Sequence, residues 1–194
     1  MLSFSLDYHF FGLNPASYHL TNLMLHLLNS IIVFWLILML SNKVSFAFVI
    51  GLIFGIHPVH VESVAWISER KDVLYAFFFL GSIVCYIYYL KKLQSKEWLY
   101  ISLLLFIFSL LSKAMAVSLP FILLLLDYYF ERKFDRKIIL EKIPFFTFAV
   151  IFAYIALLAQ QNALSQQPFP IIIKNIFNAG YGLIFLVGKI FVPV

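Results

Sequence analysis

Six apolar runs separated by short polar breaks make up nearly all of the chain: residues 20–40, 44–56, 73–90, 98–126, 144–159 and 171–194. Within them the hydrophobic residues are continuous and do not alternate. The pattern therefore predicts membrane helices and excludes barrel strands. The first run carries His19, Asn22, His26 and Asn29 at spacings of three, four and three, which places them on one helix face. A polar stripe on a membrane helix faces protein or water, so it predicts either hydrogen bonds between helices or the lining of a cavity. Ahead of it, residues 1–19 are aromatic-rich, turn at Asn14-Pro15 and read as an interfacial segment.

Length shapes the next elements. The run 44–56 is about 13 residues, or roughly 20 Å of helix, against a hydrocarbon core of about 30 Å. His57 thus arrives before the helix has crossed, and Pro58 supports a break there. Either the bilayer thins, or the 57–62 segment lies below the surface, shielded by protein. The run 98–126 is long for one span and short for two. A hairpin tip at Ser112-Lys113 places Arg132, Lys133, Arg136, Lys137 and Lys142 on the same side as Lys43, Lys91, Lys92 and Lys96; a single crossing separates the two basic clusters. The positive-inside rule favours the hairpin, which puts Lys113 on the side of residues 57–72. Residues 160–170 read as a polar loop, and 171–194 as a last span or an interfacial helix. The expected fold is all-α, a polytopic transmembrane bundle of about six to seven membrane segments forming one domain over residues 1–194. An N-terminus on the outer side and an apolar C-terminus predict that the natural protein continues past both ends.

Composition agrees. Sixty-three per cent hydrophobic residues and a mean hydropathy of +0.98 lie outside the soluble range. No polar stretch is long enough to build a soluble core, and no cleavable signal pattern opens the chain. The lone Cys85 excludes an intrachain disulfide. The net charge of +5 is spread over loops, so it points to orientation and contact with lipid phosphate, not to nucleic acid.

Chemistry concentrates in residues 57–72, which hold two of the five histidines and three of the nine acids between two hydrocarbon runs. For His57, His60 and Glu62 three readings stay open: ligands for a divalent metal, acid–base work on an acceptor, or the capping of a buried loop. In Glu69-Arg70-Lys71-Asp72, Asp72 is a reasonable N-cap for a helix starting at Val73, while Arg70 and Lys71 suit a phosphate. Lys113, a cation at membrane depth, needs an anion. A phosphate fits, with Glu62 or Glu69 holding the ammonium when the phosphate is absent.

The stretches YHLTNLMLHLLN at 18–29, HPVHVESVAWISERKDVL at 57–74, LLSKAMAVSLPFILLLLDYY at 110–129 and EKIPFF at 141–146 resemble the membrane domain of the transmembrane and tetratricopeptide-repeat protein family. Those proteins are polytopic glycosyltransferases of the GT-C superfamily. The resemblance implies a GT-C bundle, a polyprenyl-phosphate sugar donor, a protein hydroxyl as acceptor and a site on the extracytoplasmic face of a bacterial inner membrane or endoplasmic reticulum. It also implies a helical repeat domain beyond the spans. On this basis His57, His60 and Glu62 are expected on the catalytic, acceptor side. Glu69, Arg70, Lys71, Asp72 and Lys113 are expected to bind the donor, and His19, Asn22, His26 and Asn29 to line the cavity. The chain starts after the family's first span and first outer loop, where GT-C enzymes carry an acidic catalytic motif. Asp7 belongs to an interfacial Leu6-Asp7-Tyr8 stretch and is not that motif. Two rival classes are a transporter or permease and a non-catalytic membrane scaffold. A transporter predicts ionisable residues along several helices and internal symmetry; here they concentrate at one end, and no repeat is visible.

Overall fold

A computed structural model describes residues 2–91, 95–133, 135–164 and 180–182. The chain divides into two compact units, Met1–Ala153 and Tyr154–Val194. Among the described residues the first contains eight α-helices, the last of which runs on into the second. The second unit is described only as the tail of that helix to Leu164 and a helical turn at 180–182.

Helix α1 (Leu2–Phe11) ends at Gly12, whose φ of +61° is the left-handed value that glycine adopts without strain. Asn14 then caps α2 (Pro15–Ser41): its side-chain Oδ1 accepts from the Ala16 N–H at 3.1 Å, and Pro15 occupies the first turn, where no N–H is needed. Helix α3 (Val44–Ile56) has the bounds that the apolar run predicts and stops at His57-Pro58. A 3-10 turn (Pro58–His60), the short α4 (Val61–Ala65) and a second 3-10 turn (Ile67–Glu69) lead into α5 (Arg70–Lys91). Then come α6 (Lys96–Ser112), a 3-10 segment (Ala114–Ser118), α7 (Leu119–Tyr129) and α8 (Arg136–Leu164), which carries Pro144 inside it.

Helix α5 is the central column, with α2 against one side and α6 against another. Tyr86, Ile87, Phe106, Leu110, Leu119, Leu123 and Phe145 form the core among α5, α6, α7 and α8. Most other large apolar side chains point outward, including Phe46, Phe48, Leu52, Leu104, Phe121 and Leu125. An apolar exterior of this kind suits lipid, and it means that burial of hydrocarbon does not by itself hold the helices together. Close backbone approach and polar contacts do that work. Ala47, Gly51 and Gly55 recur every fourth residue on α3, and Ala47 and Gly51 are buried. A Cβ added to Gly51 would lie 3.0 Å from the Phe34 Cβ on α2, and one at Gly55 3.1 Å from the Ser30 Oγ. Between α5 and α6, the Ser82 and Ser102 hydroxyls each donate to the other residue's carbonyl at 2.8 Å, and Ser109 donates to the Tyr75 carbonyl at 3.1 Å.

The protein is an all-α membrane protein. Among the described residues three helices, α2, α5 and α8, are long and apolar enough to cross a bilayer; a fourth crossing exists if α3 and residues 58–65, bent by 46° at the break, count as one. The chain reverses at Lys113. Lys113 meets Asp72 at the start of α5, whereas at the other end of α5 the Lys91 ammonium donates to the Met39 carbonyl and the Tyr129 hydroxyl to the Leu40 carbonyl. Among the described residues Lys43, Lys91 and Arg132 thus share one end, and the broken 57–69 segment lies at the other.

Several boundaries differ from expectation: α2 begins at Pro15 and α8 at Arg136, ahead of the apolar runs that start at 20 and 144. Helix α5 begins at Arg70, not Val73, so Asp72 sits inside the first turn and its carboxylate turns to Lys113 instead of capping. Residues 160–164, expected in a polar loop, continue α8. The last apolar run falls mostly outside the described residues.

The α2–α3 contact yields a prediction. Gly51→Leu should destabilise the protein by about 1–3 kcal/mol through overpacking against Phe34, while Gly55→Ala, facing only a movable serine hydroxyl, should cost less. Denaturant unfolding in detergent measures both; equal stability of Gly51→Leu and wild type would refute the close packing.

Candidate functional site

Arg70 opens α5 and is buried, 1% exposed. Its Nε donates to Asn22 Oδ1 at 2.8 Å. Its Nη1 pairs with Asp7 Oδ2 at 2.6 Å and donates to the Ser3 carbonyl at 3.3 Å, and its Nη2 donates to the Tyr18 carbonyl at 3.0 Å. The Phe4 and Tyr18 rings cover the guanidinium at 4.4 and 5.5 Å. Arginine is suited to such a place because its planar fork spreads one charge over five donors. Arg70 therefore ties α1 and α2 to the start of α5, and neighbouring protein groups surround its fork.

The stripe on α2 serves the same end of the bundle. Asn22 donates to the carbonyls of Val64 and Trp66 at 3.3 and 3.2 Å, His26 Nε2 lies 3.0 Å from the Gly55 carbonyl, and Asn29 donates to the Val73 carbonyl at 2.9 Å. The Gly55, Val64 and Trp66 carbonyls lie where α3 and α4 end, positions at which a helix leaves acceptors free, and the Val73 carbonyl lies in the first turn of α5. Asn22, His26 and Asn29 are buried, whereas His19, one turn earlier, is exposed.

Around the break, His26, Phe54, His57 and His60 stack. Phe54 and His60 ring centres are 4.5 Å apart, His26 and His60 5.5 Å, and His57 and His60 6.2 Å. With Leu23, Val61 and Val64 the three histidines line a recess of about 240 Å³. His57 Nδ1 accepts from the Val59 N–H at 3.2 Å, which fixes the turn. Glu62 is exposed on α4. Among the described residues no three His, Cys, Asp or Glu side chains converge as metal ligands, and His57, His60 and Glu62 do not form such a set.

Lys113, at the tip between α6 and the following 3-10 segment, reaches Asp72 Oδ1 at 2.6 Å. Its partner is thus Asp72, in the first turn of α5, and not Glu62 or Glu69. The pair is partly open, with side chains 29% and 25% exposed. Lys71 pairs with Glu69 at 3.3 Å nearby in sequence, with the lysine exposed. The structure therefore joins Lys113 to the 69–72 segment, anchors that segment through Arg70, and sets the histidine recess at the same end.

A second polar cluster, at the basic end, did not stand out in the sequence. Asp127, fully buried on α7, accepts from the Tyr86 hydroxyl at 2.6 Å and pairs with Lys142 at 2.5 Å and Arg132 at 3.2 Å. Arg132 holds Glu141 through both nitrogens, at 2.8 and 3.1 Å, and the Tyr89 hydroxyl also donates to Glu141. Burial works against the Arg132 charge, but the hydrogen bonds and charge of Glu141 outweigh it and raise its pKa above the usual arginine value. The available signal was Asp127 itself, an acid in an otherwise apolar helix, which had to be paired.

Human protein O-mannosyl-transferase TMTC2 is 43% identical over 86 residues, which is 44% of this chain and 10% of that protein. The Xenopus laevis protein O-mannosyl-transferase tmtc2 is 41% identical over 85 residues, with the same coverage. Drosophila melanogaster protein O-mannosyl-transferase Tmtc1 is 33% identical over 124 residues, 61% of this chain and 14% of that protein. This chain is similar to the TMTC protein O-mannosyl-transferases. The family resemblance carried by the motifs is thereby borne out, although the matched stretch spans only about a tenth of the length of most of these relatives. No family model matches the chain, and no solved structure does.

Arg70→Ala leaves Asp7 buried without its cation and should destabilise the protein by about 3–5 kcal/mol. Arg70→Lys keeps the charge but loses the fork, and should fall between. Unfolding of the three proteins in one detergent measures this; an Ala variant as stable as wild type would show that the buried guanidinium anchors nothing.

Proposed function

We propose that the chain is the membrane part of a multi-pass GT-C-type protein glycosyltransferase, working at the end that holds His57, His60 and Lys113. Its donor is a sugar linked to a polyprenyl phosphate, and its acceptor is a protein hydroxyl. The observation that carries this is the Lys113–Asp72 pair: a cation from one hairpin tip, at helix depth, held at 2.6 Å by a carboxylate and still partly open. A donor phosphate competes with Asp72 for that ammonium, and a low local dielectric strengthens the new contact. Similarity to protein O-mannosyl-transferases supports the reaction class.

In the reaction the acceptor oxygen attacks the anomeric carbon as the bond from that carbon to the phosphate oxygen breaks. The electron pair leaves with the polyprenyl phosphate, where Lys113 and Lys71 meet the growing negative charge. The hydroxyl proton passes to a carboxylate acting as general base; the family resemblance assigns that role to the acidic motif of the first outer loop, while Glu62, exposed on α4, shapes the acceptor side. His60 and His57 position the acceptor at the recess. Arg70, inside the protein, is a positioning residue that holds Lys71 and Asp72.

Two measurements test the proposal in the full-length protein. Lys113→Ala should raise the donor concentration needed for half-maximal transfer by roughly tenfold, the loss of one charge-assisted contact. Lys113→Arg should restore this in part, because a fork does not replace a point charge without shifting it. Unchanged donor dependence in the Ala variant would remove Lys113 from the site. Separately, in a Cys85→Ser background, Ser68→Cys should be labelled from the extracytoplasmic side and Ser95→Cys only from the cytoplasmic side. Labelling of both from one side would overturn the topology.

A further inference from the structure

We infer that the histidine recess is a specificity subsite for the acceptor protein: it takes one bulky apolar side chain next to the reacting hydroxyl and disfavours an acidic one. Such a subsite rests on the glycosyl transfer proposed for this end of the bundle and defines the acceptors it uses. The recess is small. Pockets that hold a whole small-molecule ligand run from about 300 to 1,000 Å³, and this one has about 240 Å³. It is also short. From α2 it is lined by Leu23 and His26, one helical turn or roughly 5 Å, so a polyprenyl or acyl chain finds no continuing groove there. A single side chain fits both dimensions.

The lining is largely apolar. Leu23, Ile56, Val61 and Val64 present hydrocarbon. Two of the ring nitrogens already serve the backbone: His26 Nε2 lies 3.0 Å from the Gly55 carbonyl, and His57 Nδ1 accepts from the Val59 N–H at 3.2 Å. A charged side chain entering here would give up its hydration without equal contacts in return, whereas an aliphatic one gains by leaving water. The walls are in place before an acceptor arrives. The rings of His26, Phe54 and His60 pack on one another with centres 4.5 to 5.7 Å apart, and Asn22 donates to the Val64 carbonyl at 3.3 Å, which fixes the α4 wall. Walls that are already ordered reduce the entropy lost on binding. At the mouth Ile56 and Val61 are 72% and 62% exposed. Glu62 follows Val61 and is exposed too, so its carboxylate repels an acidic residue beside the acceptor hydroxyl. One apolar anchor in a fitted pocket is the arrangement that gives a protein contact most of its energy.

The test uses the full-length protein in a neutral detergent and fluorescein-labelled alanine heptapeptides with one central Thr, in which each flanking position in turn is Leu or Asp. Fluorescence anisotropy gives the affinity, and transfer from the polyprenyl-phosphate-linked donor is followed on the same peptides. At one flanking position or more, Leu should tighten binding roughly tenfold over Ala, as partial burial of one aliphatic side chain allows, and Asp should weaken it. Val61→Trp, which fills the mouth, should bring the Leu and Ala peptides to parity. Val49→Trp, the same exchange at an exposed position on α3 that does not line the recess, should keep the preference. Glu62→Gln should bring the Asp peptide up towards the Ala peptide. Circular dichroism checks that each variant stays folded. Absence of a Leu preference at every position would overturn the inference. So would a preference that survives Val61→Trp, which places the peptide in the micelle, or binding of radiolabelled farnesol that Val61→Trp abolishes, which gives the recess to a lipid chain. A Leu preference lost in Val61→Trp but accompanied by no transfer would support the side-chain subsite and overturn the glycosyltransferase reading instead.

Discussion

A guanidinium inside a membrane protein must have its donors met by protein, because neither lipid nor bulk water is there to meet them. Arg70 satisfies that requirement with a carboxylate from α1, an amide and a carbonyl from α2 or its first turn, and two aromatic faces. In doing so it fixes where α5 begins. The start of α5 in turn sets the direction of Asp72, and Asp72 holds Lys113, so the hairpin tip between α6 and α7 is placed by contacts that lead back to one buried side chain. The exterior of the bundle is apolar nearly throughout, which makes such polar contacts more informative about assembly than hydrocarbon burial.

The same accounting explains the broken segment after α3. A helix that stops short inside a membrane leaves carbonyls free, and unsatisfied ones are expensive in a low dielectric. Asn22, His26 and Asn29, presented on one face of α2, are directed at the carbonyls of Val64, Trp66, Gly55 and Val73. A straight polar helix thus serves as a splint for an irregular neighbour. The irregular segment then brings His57 and His60 to a recess that a continuous helix would not leave. Structural and chemical roles are layered here, with buried groups holding the backbone and partly exposed groups, Lys113, Asp72, Lys71 and Glu62, left at the rim.

The two ends of α5 solve related problems differently. At the histidine end one arginine is shared among α1 and α2. At the basic end two acids and two bases interlock α5, α7 and α8 around Tyr86 and Tyr89. That second cluster balances its own charge, two acids against two bases, around the buried Asp127.

The amino-acid sequence by itself determined the helical class, the bounds of α3, the turn at Asn14-Pro15, the break at Pro58 and the reversal at Lys113. These rest on local rules: run length against membrane thickness, the missing N–H of proline, and charge asymmetry. It also marked residues 57–72 as the chemical centre and the α2 stripe as a face, because helical spacing is visible in one dimension. Only the tertiary structure decided the partners. That Arg70 turns inward while Lys71 faces out, that Asp72 takes Lys113, that His19 lies outside the buried stripe, and that Asp127 gathers Tyr86, Arg132 and Lys142 all depend on which helices lie side by side. Pairing of charges across tens of residues is set by three-dimensional proximity and the low dielectric that punishes any group left alone, and no local pattern encodes it.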